Sequence, residues 1–504
     1  MSPPTESKTI FEKSAPGRRG VEPPQADARL PALENCIPTK FRRTAPIQLP
    51  ETGELDTVRH YTTISQRNMG IDTNFYPLGS CTMKYNPRVN ENVAGLPGFR
   101  KVHPLQKDEE IQGWLEVLFR LERILAEVSG LPKVSLQPAA GAHGELCALM
   151  MIKAIHEDRE PGKRNYVLVP DSAHGTNPSS CTIAGFKTRE VKSGTDGCVD
   201  LDDFRAKLDD DVAAMMITNP NTLGLFEPAI SEISEALHKR SAFLYMDGAN
   251  MNAILGITRP GDFGVDVMHF NLHKTFSTPH GGGGPGAGPI ACVEELAPYL
   301  PVPRIEQSSN KGTAGDKRGE AVTQYHLRSN FPSSIGKVRS FIGNSGILLR
   351  ALVYAAAHGP KDLRHVSEAA VLNANYIRAL LEKEFHLPYA TSCMHEVVFT
   401  SRHQKASGIH AIDIAKRLID LGFHPPTIYF PLVVQEALMI EPTETEALAT
   451  LDEFCAAMTR IAEESRTQPD ILKEAPVQQV VKRLDEVAAV KTPILVCPCE
   501  EESS

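Results

Sequence analysis

The sequence has 504 residues, 41% hydrophobic and 23% charged, which excludes a collagen, a disulfide scaffold and a largely disordered chain. That length is too great for one compact core and predicts two or three domains. Lys and Arg total 53 against 62 Asp and Glu, and the net charge of −9 argues against a nucleic-acid binder that works by bulk positive charge.

From the N-terminus, Met1–Gly20 has no apolar core of a secretory signal. It carries Glu6 and Glu12 and lacks a transit-peptide pattern. No apolar run nears the ~20 residues that span a bilayer, so the expected place is the cytoplasm, away from membranes. Residues 1–100 are rich in Pro, Thr, Asn and Gly and predict an extended arm laid over other surfaces. Helical spacing then runs from Ile111 to Val128, and a second helix is expected from near Gly144 to Asp158. Short apolar runs follow at Tyr166–Val169, Ala213–Thr218, Phe243–Met246, Val265–Phe270 and Pro289–Val293. Each reads as a buried strand, with Ile230–Lys239 as a helix between two of them. This alternation predicts an α/β domain with a mostly parallel sheet over residues 101–345, whose ligands bind beyond the carboxyl ends of the strands. Over 346–475 long helices at about 363–384, 409–421 and 444–465, with short strands near 395–400 and 428–434, predict a smaller α+β domain. Residues 476–504 read as a tail. The ten cysteines hold no CxxC pair and are expected to be reduced thiols. Cys497 and Cys499 are too few for structural zinc, and no metal site is expected.

The residues that carry chemistry follow strand ends. Lys274, in Asn271-Leu272-His273-Lys274-Thr275, follows an apolar run and precedes Gly281–Gly284. A lysine there is either a solvated charge or a desolvated amine able to form a Schiff base. Asp247 closes the run Phe243–Met246 and reads as a helix cap, a metal ligand or the partner of a pyridinium nitrogen. Ala249, on the same strand face, leaves room for a flat ring. His174, in the loop Asp171–Asn177, is either structural or a ring that stacks on a cofactor. Gln137–Glu145 places small residues at a helix start, a cradle for phosphate, but its glycine spacing fits neither a Walker A motif nor GxGxxG.

A small-residue helix start, a loop histidine, a strand-end aspartate and a strand-end lysine, in that order, resemble fold-type I pyridoxal phosphate (PLP) enzymes, the aspartate aminotransferase-like group. Longer strings resemble the P-protein family of the glycine cleavage system. These are Asp72–Arg88, Asp171–Asn177, Thr218–Glu227, Asn271–Gly284, and Phe423–Thr427 through Glu441–Glu444. The similarity runs from about Ile10 to Leu472. It implies PLP on Lys274, Asp247 at the ring nitrogen, His174 stacked on the ring, and phosphate held near Ala142, His143, His273 and Thr275. It also implies Thr222 near the reacting end, and an arm containing Asn74, Ser80 and Lys84 as candidate for the substrate carboxylate. The implied activity is decarboxylation of glycine with transfer of the aminomethyl group to the lipoyl arm of H-protein. P-proteins exist as one long chain with two homologous halves or as two subunits. This chain has the length of one half and keeps its lysine, so the resemblance is to the PLP-bearing subunit. A homologous subunit 1 is the expected partner, as a heterotetramer of two heterodimers. The rivals are another fold-type I enzyme, such as a decarboxylase or cysteine desulfurase, and a scaffold subunit without PLP. No Cys sits in a distinct mobile loop, which disfavours the desulfurase, and Lys274 disfavours the scaffold.

Overall fold

The structure, a computed structural model, describes residues 8–495 except positions 23, 26–28, 30, 32, 46, 104, 281–285 and 311–321. The glycine run Gly281–Gly284 and the Cys497/Cys499 tail lie outside the described residues. The chain divides into two compact units, Met1–Thr73 with Glu474–Ser504, and Asn74–Lys473.

In the first unit, helix α1 (Glu54–Ser65) carries Glu54 and Asp56 in its first turn, where acidic side chains suit the helix dipole. Arg18 pairs with Asp56 at 2.9 Å. Leu55, Val58 and Tyr61, spaced three apart on α1, are all exposed.

The second unit begins with the 75–84 segment and helix α2 (Gln112–Ser129), close to the expected bounds. Leu115, Leu118, Leu121 and Leu125 repeat at helical spacing and are buried, each contributing about 1.5–3 kcal/mol. The helix stops at Gly130, whose φ of 70° suits glycine. A seven-stranded sheet follows: β1 (Lys133–Ser135), β2 (Tyr166–Pro170), β3 (Lys187–Val191), β4 (Val212–Thr218), β5 (Phe243–Gly248), β6 (Val267–Phe270) and β7 (Ile290–Cys292). Their order is β1-β7-β6-β5-β4-β2-β3. The four pairings from β6 to β3 are parallel, and β7 runs antiparallel to both neighbours. Strands β4 and β5 are buried along their whole length, as continuous apolar runs require in a parallel sheet covered on both faces. Helices α3 (Gly141–Arg159), α4 (Thr176–Ile183) and α5 (Ile230–Lys239) lie in the connections. Strands β1 and β3 escaped the sequence reading: Lys-Val-Ser is too short to show a period, and Lys-Thr-Arg-Glu-Val is mostly polar and exposed. The hairpin β8 (Arg304–Asn310) and β9 (Val322–Arg328) was also not expected.

Helix α6 (Ser345–Leu381) starts well before the expected residue 363. Gly359 (φ 66°, ψ 176°) kinks it, and Gly359-Pro360 reads in sequence as a helix start. Its first half joins the core under the large sheet, through Leu348, Ala351 and Tyr354. Its second half joins another core through Ala374, Ile377 and Leu381. That second core includes the antiparallel sheet β10 (Val397–Thr400), β11 (Thr427–Ile428) and β12 (Ala437–Ile440), in the order β10-β12-β11. Helices α7 (Ala411–Asp420) and α8 (Leu448–Thr467) complete it. The strand expected over 428–434 ends at Ile428, because the chain turns through Phe430-Pro431 and regains extended form at Ala437.

Candidate active site

Strand ends and one helix start converge on a cavity of about 180 Å³. Its wall includes Ser80, Ala142, His174, Thr222, Asp247, Ala249, His273 and Lys274, eight of the residues singled out from the sequence. A larger cavity of about 280 Å³ is lined chiefly by apolar side chains such as Phe99, Trp114 and Leu118 and contains none of these groups. The chemistry selects the smaller one.

Helix α3 begins at Gly141, three residues before the expected Gly144, and presents Gly141 and Ala142 to the cavity. Glycines allow this approach. A Cβ on Gly144 would lie 2.7 Å from Gly288 O and 2.8 Å from His269 Cβ, and one on Gly141 would lie 2.6 Å from Asn271 Nδ2. The first-turn N–H groups of a long helix therefore face the cavity, a setting that favours an anion. His143 turns away: its Nδ1 accepts from Ala139 N–H at 3.1 Å, and it is not part of the wall.

Asp247 stands near the end of β5 and is wholly buried. Its carboxylate accepts from Ala249 N–H at 2.9 Å and Asn177 Nδ2 at 3.1 Å, and lies 3.4 Å from His269 Nε2. Burial works to raise this carboxyl, but His269, Lys274 and the two hydrogen bonds outweigh it and hold Asp247 below its ordinary range. A polar chain runs from Tyr245 OH to His269, on to Asn271 Oδ1 at 2.7 Å, and from Asn271 Nδ2 to His273 Nε2 at 3.3 Å. Burial, Lys274 and His280 push His273 down to about 3, so its ring is neutral. Lys274 follows β6 in a turn closed by Lys274 N–H to Asn271 O at 3.0 Å. Its ammonium has no hydrogen-bond partner among the described residues.

His174 is exposed at the mouth, fixed by Thr176 Oγ1 at 2.9 Å and edge-on to Phe430. Thr222 donates its hydroxyl hydrogen to Ser172 O, so toward the cavity it can only accept. Ser80 reaches the wall from the 75–84 segment. Besides His143, three expected residues do not reach it. Thr275 lies behind Lys274, with its carbonyl accepting from Lys84 Nζ at 2.9 Å. Lys84 is buried in an ion pair with Glu444 at 2.6 Å, and its ammonium is thereby unavailable to a substrate. Asn74 donates to Gly422 O at 3.3 Å, away from the wall.

The sequence reading gave no role to Glu145, Thr176, Thr218, Asn250, His269 or Asn271, which all line the cavity. Glu145, Asp247 and His269 bring ligand-type atoms within 4.8 Å of one another. Hydrogen bonds from Thr176, Ser180, Asn177 and Ala249 already occupy the two carboxylates, which disfavours a metal. On the cavity wall, Thr218 Oγ1 and His273 Nδ1 are buried without a partner among the described residues, as is Oδ1 of Asn177, which bonds to Asp247. A flat, phosphate-bearing cofactor with a ring nitrogen suits this donor set: an amine, a buried carboxylate and a helix start around one space. The residues present fit PLP.

Two family models match, glycine dehydrogenase, C-terminal domain over residues 366–482 and aminotransferase class-V over residues 149–283. A probable glycine dehydrogenase (decarboxylating) subunit 2 of Caldanaerobacter subterraneus subsp. tengcongensis is 51% identical over 486 residues, 96% of this chain and 98% of that one. One of the same description from Staphylococcus aureus is 51% identical over 489 residues, 97% of each. Among solved structures, glycine decarboxylase (P-protein) of the glycine cleavage system in inhibitor-bound form matches with TM-score 0.69 at 20% identity, over 84% of this chain and 93% of that one, which shows a shared fold. The fold is that of fold-type I PLP enzymes, and identity of this extent along nearly the full length of both chains makes this chain a member of the glycine dehydrogenase (decarboxylating) subunit 2 family.

Proposed function

We propose that this chain is the PLP-bearing subunit of a glycine-cleaving enzyme: it decarboxylates glycine and passes the aminomethyl group to the lipoyl arm of an H-protein. The observation that carries the reading is the convergence of Lys274, Asp247 and the α3 start on one cavity. PLP, when bound, supplies the electron sink that makes loss of CO2 from glycine accessible. Lys274 Nζ would attach the cofactor and then accept and return protons at the reacting end. Gly141 and Ala142 N–H would bind phosphate, with neutral His273 beside them. Asp247, held ionised, would keep a proton on the ring nitrogen. His174 would cover the ring face that Ala249 leaves free on the other side. The Ser80 turn would close the substrate end to water, and it is the arm's candidate for contact with the glycine carboxylate.

The working enzyme on this reading pairs the chain with a homologous subunit 1 in the cytoplasm, two such pairs forming a heterotetramer. No helix among the described residues is long and apolar enough to cross a membrane. The test is glycine–bicarbonate carbon exchange with and without subunit 1 and lipoylated H-protein. Exchange is expected only with all components. No exchange in the full mixture would remove glycine as substrate, and full activity of the lone chain would remove the partner. Borohydride reduction and peptide mapping should place the cofactor label on Lys274; a label on another lysine would sink that assignment.

A further inference from the structure

Behind the Ser80 edge of the cavity, two glutamates meet in the interior with no Lys or Arg paired to either among the described residues. Glu396 precedes β10 and Glu441 follows β12, and the pairing of Val397 with Ile440 brings them to one end of the small sheet. Both are wholly buried. Their surroundings differ. Glu441 accepts from Thr82 N–H at 2.9 Å, from the Thr82 hydroxyl, and from Asn252 Nδ2 at 3.3 Å. Glu396 accepts from Ser80 N–H at 2.9 Å through Oε2, while its Oε1 has no partner among the described residues. His395 Nε2 lies 3.7 Å from that bare oxygen, and neither ring nitrogen has a hydrogen-bond partner among the described residues. Burial and Lys274 push His395 down to about 3, so it adds no charge. The two carboxyls and His395 bring ligand-type atoms within 4.8 Å of one another.

Two carboxylates this close in a dry site cannot both stay ionised at low cost. Burial and the charge of Glu441 raise Glu396 well above the carboxylate range. Burial raises Glu441 too, but Thr82 offsets it with two hydrogen bonds. The other titratable groups that face the pair are Lys274, His395 and Cys81, whose thiol is itself raised by burial. The two backbone N–H groups that donate to the pair come from strained backbone: Ser80 and Thr82 have φ of 62° and 49°, the left-handed region that side chains disfavour. Such a turn persists only where its surroundings hold it. We propose that Glu396, as a neutral acid, and Glu441, as its anionic neighbour, form one positioning unit that fixes the Ser80–Thr82 turn and so the Ser80 edge of the cavity. At alkaline pH, ionisation of Glu396 sets two anions against each other and loosens the turn.

Infrared spectra of protein labelled with carbon-13 glutamate test the proton directly. The difference between wild type and E396Q at neutral pH should contain the C=O stretch of a protonated glutamic acid. The kinetic arm rests on the proposed function. In glycine exchange, E396A and E441Q are expected to raise KM about ten- to a hundredfold, the scale of a buried donor left without its acceptor. E396Q should restore most of the E396A loss and flatten the alkaline fall of the pH profile, since an amide stands in for a neutral carboxyl but cannot ionise. The proposal is overturned by a difference spectrum without the band, by E396A and E441Q with unchanged KM, or by a stoichiometric divalent metal in the purified chain that satisfies the cluster instead. If wild type shows no exchange at all, the proposed function fails and the infrared arm alone decides this inference.

Discussion

Asp247→Asn is expected to keep the fold and to lower glycine exchange about 10²–10⁴-fold, the scale of one preorganised electrostatic group. The amide oxygen can keep accepting from Ala249 N–H, and the Asn177 side chain can turn its Oδ1 to accept from the new NH2, but the amide brings no charge to a ring nitrogen. Near-normal exchange would remove Asp247 from that role. His174→Ala should weaken PLP binding and slow exchange without unfolding the chain, because the ring is exposed at the mouth and supports no core. Spectroscopic titration with PLP reads this, and unchanged binding together with unchanged rate would make His174 merely structural. The residues that the sequence made legible lie in strings with a chemical logic of their own: a lysine after a strand, an acid ending one. His269 was not legible, since its meaning comes from register: β5 and β6 pair Asp247 with His269, and no local pattern reveals that neighbour. Lys84 misled for the opposite reason. It stands in the right string, but its partner Glu444 is 360 positions away.

Among the elements, β5 and β6 are tied together by Asp266. Its carboxylate accepts from Leu244 N–H at 2.7 Å and meets His238 Nε2, on α5, at 2.8 Å. The hydrogen bond to Asp266 raises His238 above its ordinary value, against partial burial. The folded value is the higher one, so the contribution is complete below the unfolded value of about 6.5 and is lost as pH rises through the folded value. The stability difference between wild type and His238→Gln, followed across the neutral range, should shrink with rising pH; a difference that grew would refute the linkage. The 75–84 segment is tied to the chain beyond β12 and to the large core by Lys84, whose ammonium pairs with Glu444 and also meets Thr275 O and Tyr354 OH. Lys84→Met leaves Glu444 buried without its cation and should cost about 3–5 kcal/mol in urea unfolding. A midpoint equal to wild type would contradict it. At this scale, periodicity made the longer elements legible. It failed where glycine and proline sit inside a helix, as at Gly359-Pro360, and where a strand is too short to repeat, as in β1.

For the whole molecule, the proposed pairing with subunit 1 calls for an apolar surface on this chain. Leu55, Val58 and Tyr61 make an exposed apolar stripe on α1, and an obligate interface of over ~2,000 Å² needs such faces. Leu55→Glu with Val58→Glu should leave the lone chain folded and weaken its association with subunit 1 at least tenfold, measured by light scattering or calorimetry. Unchanged association would place the interface elsewhere. The large sheet with its strand-end chemistry was legible from alternation along the chain. The small sheet's part in the site was not, because Ser80 and Thr82 find Glu396 and Glu441 only 316 and 359 positions further along the chain. That separation also has a meaning in time. At ~5–20 residues per second, a ribosome needs roughly 20–70 s to travel from one end of this closure to the other. In the later part of that interval, once Asp247, Lys274 and the last strand of the large sheet have been made, the nascent chain carries the cofactor end on a sheet able to form, but its substrate-side wall has nothing to dock on. The pocket is therefore finished from its oldest and its youngest residues together, and a truncation before Glu441 would leave the cofactor end built and the mouth open.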